Sequence, residues 1–126
     1  MKYLLDTDVL VNHLRGKESL SSEILMHGAA ISIITLAELL YGVYKSDNPD
    51  KSLRKLEEDL ELLELPVENL NEVIVAEFGK IKTDLEIKGS RLEDFDLLIA
   101  ACAITKGMTL VTRNVKHFQR ISGLKL

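Results

Sequence analysis

Four polar residues stand where apolar elements end, and their types define the chemistry open to the chain. Asp6 follows Tyr3-Leu4-Leu5, and Glu38 lies inside the apolar run from Ile31 to Leu40. Asp96 precedes Leu97-Leu98-Ile99-Ala100-Ala101, and Asn114 comes two residues after Leu110-Val111-Thr112. A carboxylate at the edge of a core is costly unless it is paired or holds a cation. Carboxylates that converge raise each other's pKa unless a cation intervenes. Hard oxygen ligands with no thiol and no histidine pair suit Mg²⁺ or Mn²⁺. His13, His27 and His117 show no zinc-like spacing. A carboxylate-held Mg²⁺ with open positions binds phosphate and activates water, which is the chemistry of phosphodiester or phosphomonoester hydrolysis.

Each of these residues also has a plain structural explanation. Thr35-Leu36-Ala37-Glu38 fits a capping box, so Glu38 could satisfy a helix N-terminus. Asp6 could be a turn or cap residue. Asp94 or Asp96 could cap the helix that follows and complement its dipole. Asn114 could hold a left-handed turn. Taken one at a time these explanations are the better ones, and only convergence at one edge of a sheet weakens them.

The elements that would bring the four together can be read from periodicity. Tyr3-Leu4-Leu5 reads as a buried strand. Val9 to Leu14 follows as a helix, with Thr7 or Asp8 as its N-cap and Gly16 as its stop. A short helix over Ser19 to Met26, a strand over Ala30 to Ile34 and a helix over Thr35 to Tyr44 come next. Asn48-Pro49 opens another helix, in which Leu53, Leu56, Leu60 and Leu63 form one apolar stripe. That stripe is read first as core. Leu65-Pro66-Val67 offers a short edge strand. Ile74, Phe78, Ile81 and Leu85 mark a helix stopping near Gly89. Residues 96 to 106 read as an apolar central helix ended by Gly107, with Cys102 as a small core residue in it. Thr109 to Thr112 is a third core strand, and Leu124 to Leu126 is a candidate last one. Strands alternating with helices predict a three-layer α/β/α sandwich with a central, mainly parallel sheet. Such sheets carry their sites at the carboxyl ends of the strands.

Composition narrows the setting. The chain has 126 residues, sized for a single domain spanning 1–126. Its apolar fraction of 46% supports a real core. The run Leu97 to Ile104 is too short to cross a bilayer, so no membrane partner is expected. One cysteine allows neither a disulfide nor a thiolate cluster, and a reduced, cytoplasmic setting is the default. The net charge of -4 argues, by itself, against nucleic acid. Its distribution does not. Residues 47–72 hold nine acids and three bases, whereas residues 97–126 hold five bases and no acid. Arg113, Lys116, His117 and Arg120 border Asn114 and could receive a phosphate backbone.

Leu4-Leu5-Asp6-Thr7-Asp8, Thr35-x-x-Glu38-Leu39, Phe95-Asp96-x-x-Ile99-Ala100-x-x-Ala103 and Val111-Thr112-Arg113-Asn114-x-x-x-Phe118 occur in that order. Together they resemble the PIN-domain nucleases, specifically the VapC-type toxins of toxin–antitoxin pairs. The resemblance covers essentially the whole chain. It implies a Mg²⁺- or Mn²⁺-dependent endoribonuclease that leaves a 5′-phosphate and a 3′-hydroxyl, forms a homodimer and is inhibited by a small antitoxin protein. By position, Asp6, Glu38 and Asp96 match the family's acidic triad and its metal ligands. Asn114 matches a fourth position that is variably Asp or Asn, where a neutral amide contributes less to metal affinity. Thr112, Arg113 and Lys116 are the expected substrate contacts. Asp8 stands where Asn or Ser is frequent and is read as a helix cap. Asp94 is an alternative ligand, but the Phe-Asp-x-x-Ile-Ala spacing selects Asp96.

Two readings compete. Leu5-Asp6-Thr7-Asp8-Val9-Leu10 also fits the opening motif of haloacid-dehalogenase-like phosphatases, with Asp6 as nucleophile and Asp8 as general acid/base. That fold usually needs a longer chain and a later paired-acid motif. A non-catalytic binding module, in which the acids merely cap helices, is the other.

Overall fold

The computed structural model describes residues 2–126. Four strands, β1 (Tyr3–Leu5), β2 (Ala29–Ser32), β3 (Val67–Glu68) and β4 (Thr109–Val111), form a sheet of order β3-β2-β1-β4 in which every pairing is parallel. Parallel neighbours need crossovers, and helices supply them. These are α1 (Thr7–Leu14), α2 (Ser22–His27), α3 (Ile33–Lys45), α4 (Pro49–Leu62), α5 (Glu72–Ile87), α6 (Asp94–Lys106) and α7 (Val115–Phe118).

Strand alternation divides the core into two layers. Leu4, Ala30 and Leu110 face one cluster with Ile74, Ile81 and Leu85 of α5 and Leu97 to Ala103 of α6. Tyr3, Leu5, Ala29, Ile31 and Val111 face the other, with Leu10 of α1, Leu20, Ile24 of α2 and Leu60 of α4. The sheet is thus covered on both faces, giving the expected α/β/α sandwich. Helix α6 is apolar all round and central, as its sequence predicts, and Cys102 is fully buried within it, with burial pushing its thiol up to about 11.

Several element ends differ from the sequence reading, each for a local reason. Helix α1 starts at Thr7, because Asp6 is its N-cap and accepts the Thr7 N–H. Asp8 therefore sits exposed in the first turn and caps nothing. Strand β2 ends at Ser32, whose hydroxyl accepts the Thr35 N–H and starts α3 two residues early. Thr35 is then inside the helix, so the capping box Thr35-x-x-Glu38 does not form. Helix α6 starts at Asp94 with Glu93 as N-cap, so neither Asp94 nor Asp96 caps it. Leu124 to Leu126 contributes one bridge, Thr109 to Lys125, rather than a strand. The short α7 has no counterpart in the sequence reading; Asn114 stands at its N-cap, and its backbone is not left-handed (φ -111).

Candidate active site

The parallel register brings the carboxyl ends of β1, β2 and β4 to one edge, where Asp6 and Thr112 each follow the last strand residue and Ser32 is the last residue of β2. Asp6 keeps extended backbone (φ -68, ψ 154), so the alternation that points Leu4 toward α6 continues through it. Its carboxylate is the buried charge of the site, with only 8% of the residue exposed. Asp6 Oδ1 accepts the Thr7 N–H at 2.9 Å, and Oδ2 accepts the Thr112 hydroxyl at 2.9 Å. Burial pushes the Asp6 carboxyl above its ordinary value. The Thr112 and Thr7 bonds oppose that, and the negative charges of Asp96 and Asp8 add to it.

Asp96 is held from the other side. Its Oδ2 lies 3.0 Å from His117 Nε2, and the His117 ring stands edge-on to buried Phe118 at 5.4 Å. The first turn of α6 is a favourable place for its negative charge. Asp94, two residues earlier, turns to α5 and pairs with Lys82 Nζ at 3.0 Å. Glu38, one turn into α3, is reached through Thr7, whose hydroxyl donates to Glu38 Oε1 at 2.7 Å and shares a 3.1 Å contact with Thr35 Oγ1. Glu38 and Asp96 line the same surface opening with Glu93, Asp94 and Phe95.

Asp6, Glu38 and Asp96 are therefore brought to one edge, but as separately held carboxylates. Among the described residues, no three His, Cys, Asp or Glu side chains form a preassembled metal cluster. Their chemistry nonetheless fits a hard divalent cation: the donor set is all oxygen, and the buried member carries a burial cost that its hydrogen bonds do not fully offset, to which the charge of Asp96 adds a smaller part. Asn114 lies in the open beside them; its backbone N–H donates to Thr112 Oγ1 at 3.0 Å. Lys116 is exposed on α7. Arg113 turns away from the carboxylates to Glu18, at 3.5 Å.

A family model described as PIN domain matches residues 3–124. The chain belongs to the PIN-domain family. This PIN domain is 37% identical to Ribonuclease VapC2 of Rickettsia felis over 134 residues, covering 100% of this chain and 96% of the relative. It is 31% identical to the tRNA(fMet)-specific endonuclease VapC of Salmonella typhimurium over 133 residues, with 100% and 96% covered. Among solved structures it resembles a chain of VapBC2 from Rickettsia felis bound to a promoter DNA fragment, with a TM-score of 0.89, 36% identity, and 100% and 97% of the two chains covered. The PIN domain thus stands among the VapC ribonucleases, which displaces the phosphatase reading. The geometry agrees, since both Asp6 oxygens are engaged and Asp8 is out in solvent.

Three features of the PIN domain's site escape a reading of the sequence by itself. Thr7 couples Asp6 to Glu38, Thr112 secures Asp6 itself rather than a ligand, and His117 partners Asp96 rather than a phosphate. The signal for Thr7 was present, in the middle of Asp6-Thr7-Asp8. Nothing local in the sequence pairs His117 with Asp96.

Proposed function

We propose that this chain is a Mg²⁺- or Mn²⁺-dependent endoribonuclease that hydrolyses RNA phosphodiester bonds and serves as the toxin of a toxin–antitoxin pair in the cytoplasm. The observation that carries the reading is the buried Asp6 carboxylate, with Glu38 and Asp96 held near it, at the strand edge where this fold class places its sites. Asp6 and Asp96 would hold the ion, with Glu38 completing the set. Bound there, such an ion lowers the pKa of a water and neutralises phosphate charge.

The chain's own residues do the rest. Thr112 and the Thr7 N–H orient Asp6 and offset part of the cost of burying its charge. Thr7 holds Glu38 toward the opening, where its carboxylate can take a proton from an attacking water. His117 fixes the rotamer of Asp96. Asn114 and Lys116, exposed next to Thr112, are placed to meet phosphate oxygens of the strand.

A small antitoxin protein and a second copy of the chain are the proposed protein partners. Solved relatives are VapBC complexes. A groove between α1, α3 and α4, lined by Val11, Leu14, Leu39, Val43 and Leu56, and the exposed Tyr41 and Tyr44 on α3 favour partner contacts. No helix among the described residues is long and apolar enough to cross a membrane.

The test is cleavage of structured RNA with Mn²⁺ or with chelator, by the native chain and by Asp96→Asn. Metal-dependent internal cleavage, lost in a folded Asp96→Asn protein, is the expected result. Full activity in that variant overturns the assignment, and phosphate release from small phosphomonoesters without RNA cleavage returns the phosphatase.

A further inference from the structure

A second cleft adjoins the carboxylates, and nothing described so far uses it. It lies on the β4 side, where Thr112 forms both part of its lining and the bond to Asp6. Its walls are apolar: Val9 of α1, Leu20, Ile24 of α2 and Val111 of β4. Its polar lining comes from Asn12, Glu18, Ser19, Ser21, Thr112 and Arg113. The cleft measures about 220 Å³. That is below the ~300–1,000 Å³ typical of sites for whole drug-sized ligands, so it suits one flat heterocycle rather than a full nucleotide.

The cleft is built rather than accidental. The loop from Arg15 to Ser21 is tied back to α1: the Leu20 N–H donates to His13 Nδ1 at 2.9 Å. The Lys17 and Glu18 N–H groups both donate to the Asn12 carbonyl, at 2.9 and 3.3 Å. That leaves the Asn12 side-chain amide to line the cleft. Across it, Arg113 Nε sits 3.5 Å from Glu18 Oε2. The Glu18 carboxylate lowers the local positive potential around Arg113, and apolar walls do not receive phosphate. A planar guanidinium on the rim of a partly apolar slot is instead a stacking surface for a base.

Building on the nuclease reading, we infer that this cleft binds one unstacked RNA base next to the scissile phosphate and favours a base with an exocyclic amino group over uracil. The Glu18 carboxylate accepts from such an amine, and the Asn12 amide donates and accepts at a base edge. Val9, Leu20, Ile24 and Val111 contact the ring faces. Arg113 closes over it. The site gives the enzyme a sequence preference that the metal-binding carboxylates cannot supply, since they read only the backbone.

Two measurements test this on the full chain. The first is kcat/KM for hairpin RNAs in which each nucleotide flanking the cleavage point is A, C, G or U. At one flanking position, uracil is expected to be about tenfold poorer than adenine or cytosine, and Asn12→Leu is expected to bring that ratio close to one. Arg113→Ala should raise KM, and Arg113→Lys should not restore it, because a point charge does not stack. The second is methyl NMR during titration with adenosine, cytidine or uridine. Adenosine and cytidine are expected to shift the methyls of Val9, Leu20, Ile24 and Val111; uridine is not. A native chain that cleaves RNA with no flanking preference, an Asn12→Leu variant that slows all four substrates equally, or methyls unmoved by every nucleoside overturns the base site and leaves the nuclease intact. Nucleoside-dependent shifts in a protein that cleaves no RNA keep the base site and overturn the nuclease.

Discussion

Thr112→Val removes the side-chain hydrogen bond from Thr112 to Asp6 across the site, together with the exposed Asn114 N–H bond that the same oxygen accepts and that does not vary with pH. The variant keeps the side chain's shape and removes the hydroxyl that donates to Asp6 Oδ2 at 2.9 Å. A hydrogen bond to an ionised group contributes about 1.5–3 kcal/mol. Asp6 is only 8% exposed, so water cannot readily replace it. The loss at pH 7 should be about 2 kcal/mol, which for a chain of this size lowers Tm by roughly 6–10 °C. The pH dependence gives the argument its edge. Burial holds the Asp6 carboxyl above 3.8 in the fold, so as pH falls the folded chain takes up that proton before the unfolded chain does. Stability tied to Asp6 therefore rises as pH drops from its folded pKa toward 3.8 and levels off below. Without the Thr112 bond, which lowers the Asp6 pKa, the folded value climbs further. The variant should trail the native chain most at neutral pH and close much of the gap near pH 3. Urea denaturation from pH 3 to 8, without divalent metal, measures this. A loss equal at both ends of the range, or under about 0.5 kcal/mol at pH 7, would refute a charged Asp6 as the acceptor.

Three further outcomes follow from the same geometry. Asp6→Asn removes the buried charge and its repulsion with Asp96, so the metal-free protein should melt higher than the native one while RNA cleavage disappears. Calorimetry with and without Mn²⁺ should then show stabilisation by the ion only in the native chain. His117→Ala frees the Asp96 carboxylate from its 3.0 Å partner and should cost about 10–100-fold in cleavage, with the Mn²⁺ activation midpoint displaced upward; an unchanged midpoint would make His117 merely structural. Gly107 ends α6 with φ +66 in open space, so Gly107→Ala should cost about 1 kcal/mol from backbone strain alone, read as a lower urea midpoint.

Much of the architecture is a property of short windows of sequence. The apolar run of α6, the Asn48-Pro49 start of α4 and the glycine stop at Gly107 each depend on a handful of neighbours, and each is found where the pattern puts it. Spacing alone does not contain what separates Asp94 from Asp96: Asp94 is engaged by Lys82 of α5, and Asp96 by His117. Boundaries slipped where two polar residues competed for one helix start. Ser32, the last residue of β2, rather than Thr35, and Asp6, the first beyond β1, rather than Asp8, won because each is still extended, with its side chain beside the free N–H groups.

The sequence by itself determined that strands and helices alternate, that the sheet is parallel and covered on both faces, and that carboxylates stand at the ends of its elements. Periodicity and end signals are local, and local physics is enough for them. Only the tertiary structure decided who holds whom. Asp6 is bound by a hydroxyl 106 positions away, Glu38 by one 31 positions away, and Asp96 by a ring 21 positions away. Arg113, basic and adjacent to Asn114, was expected at the phosphate and instead faces Glu18 across a separate cleft. Such pairings arise because parallel strands bring their carboxyl ends to one edge whatever their distance along the chain. There, a buried carboxylate takes whichever donor the register sets beside it.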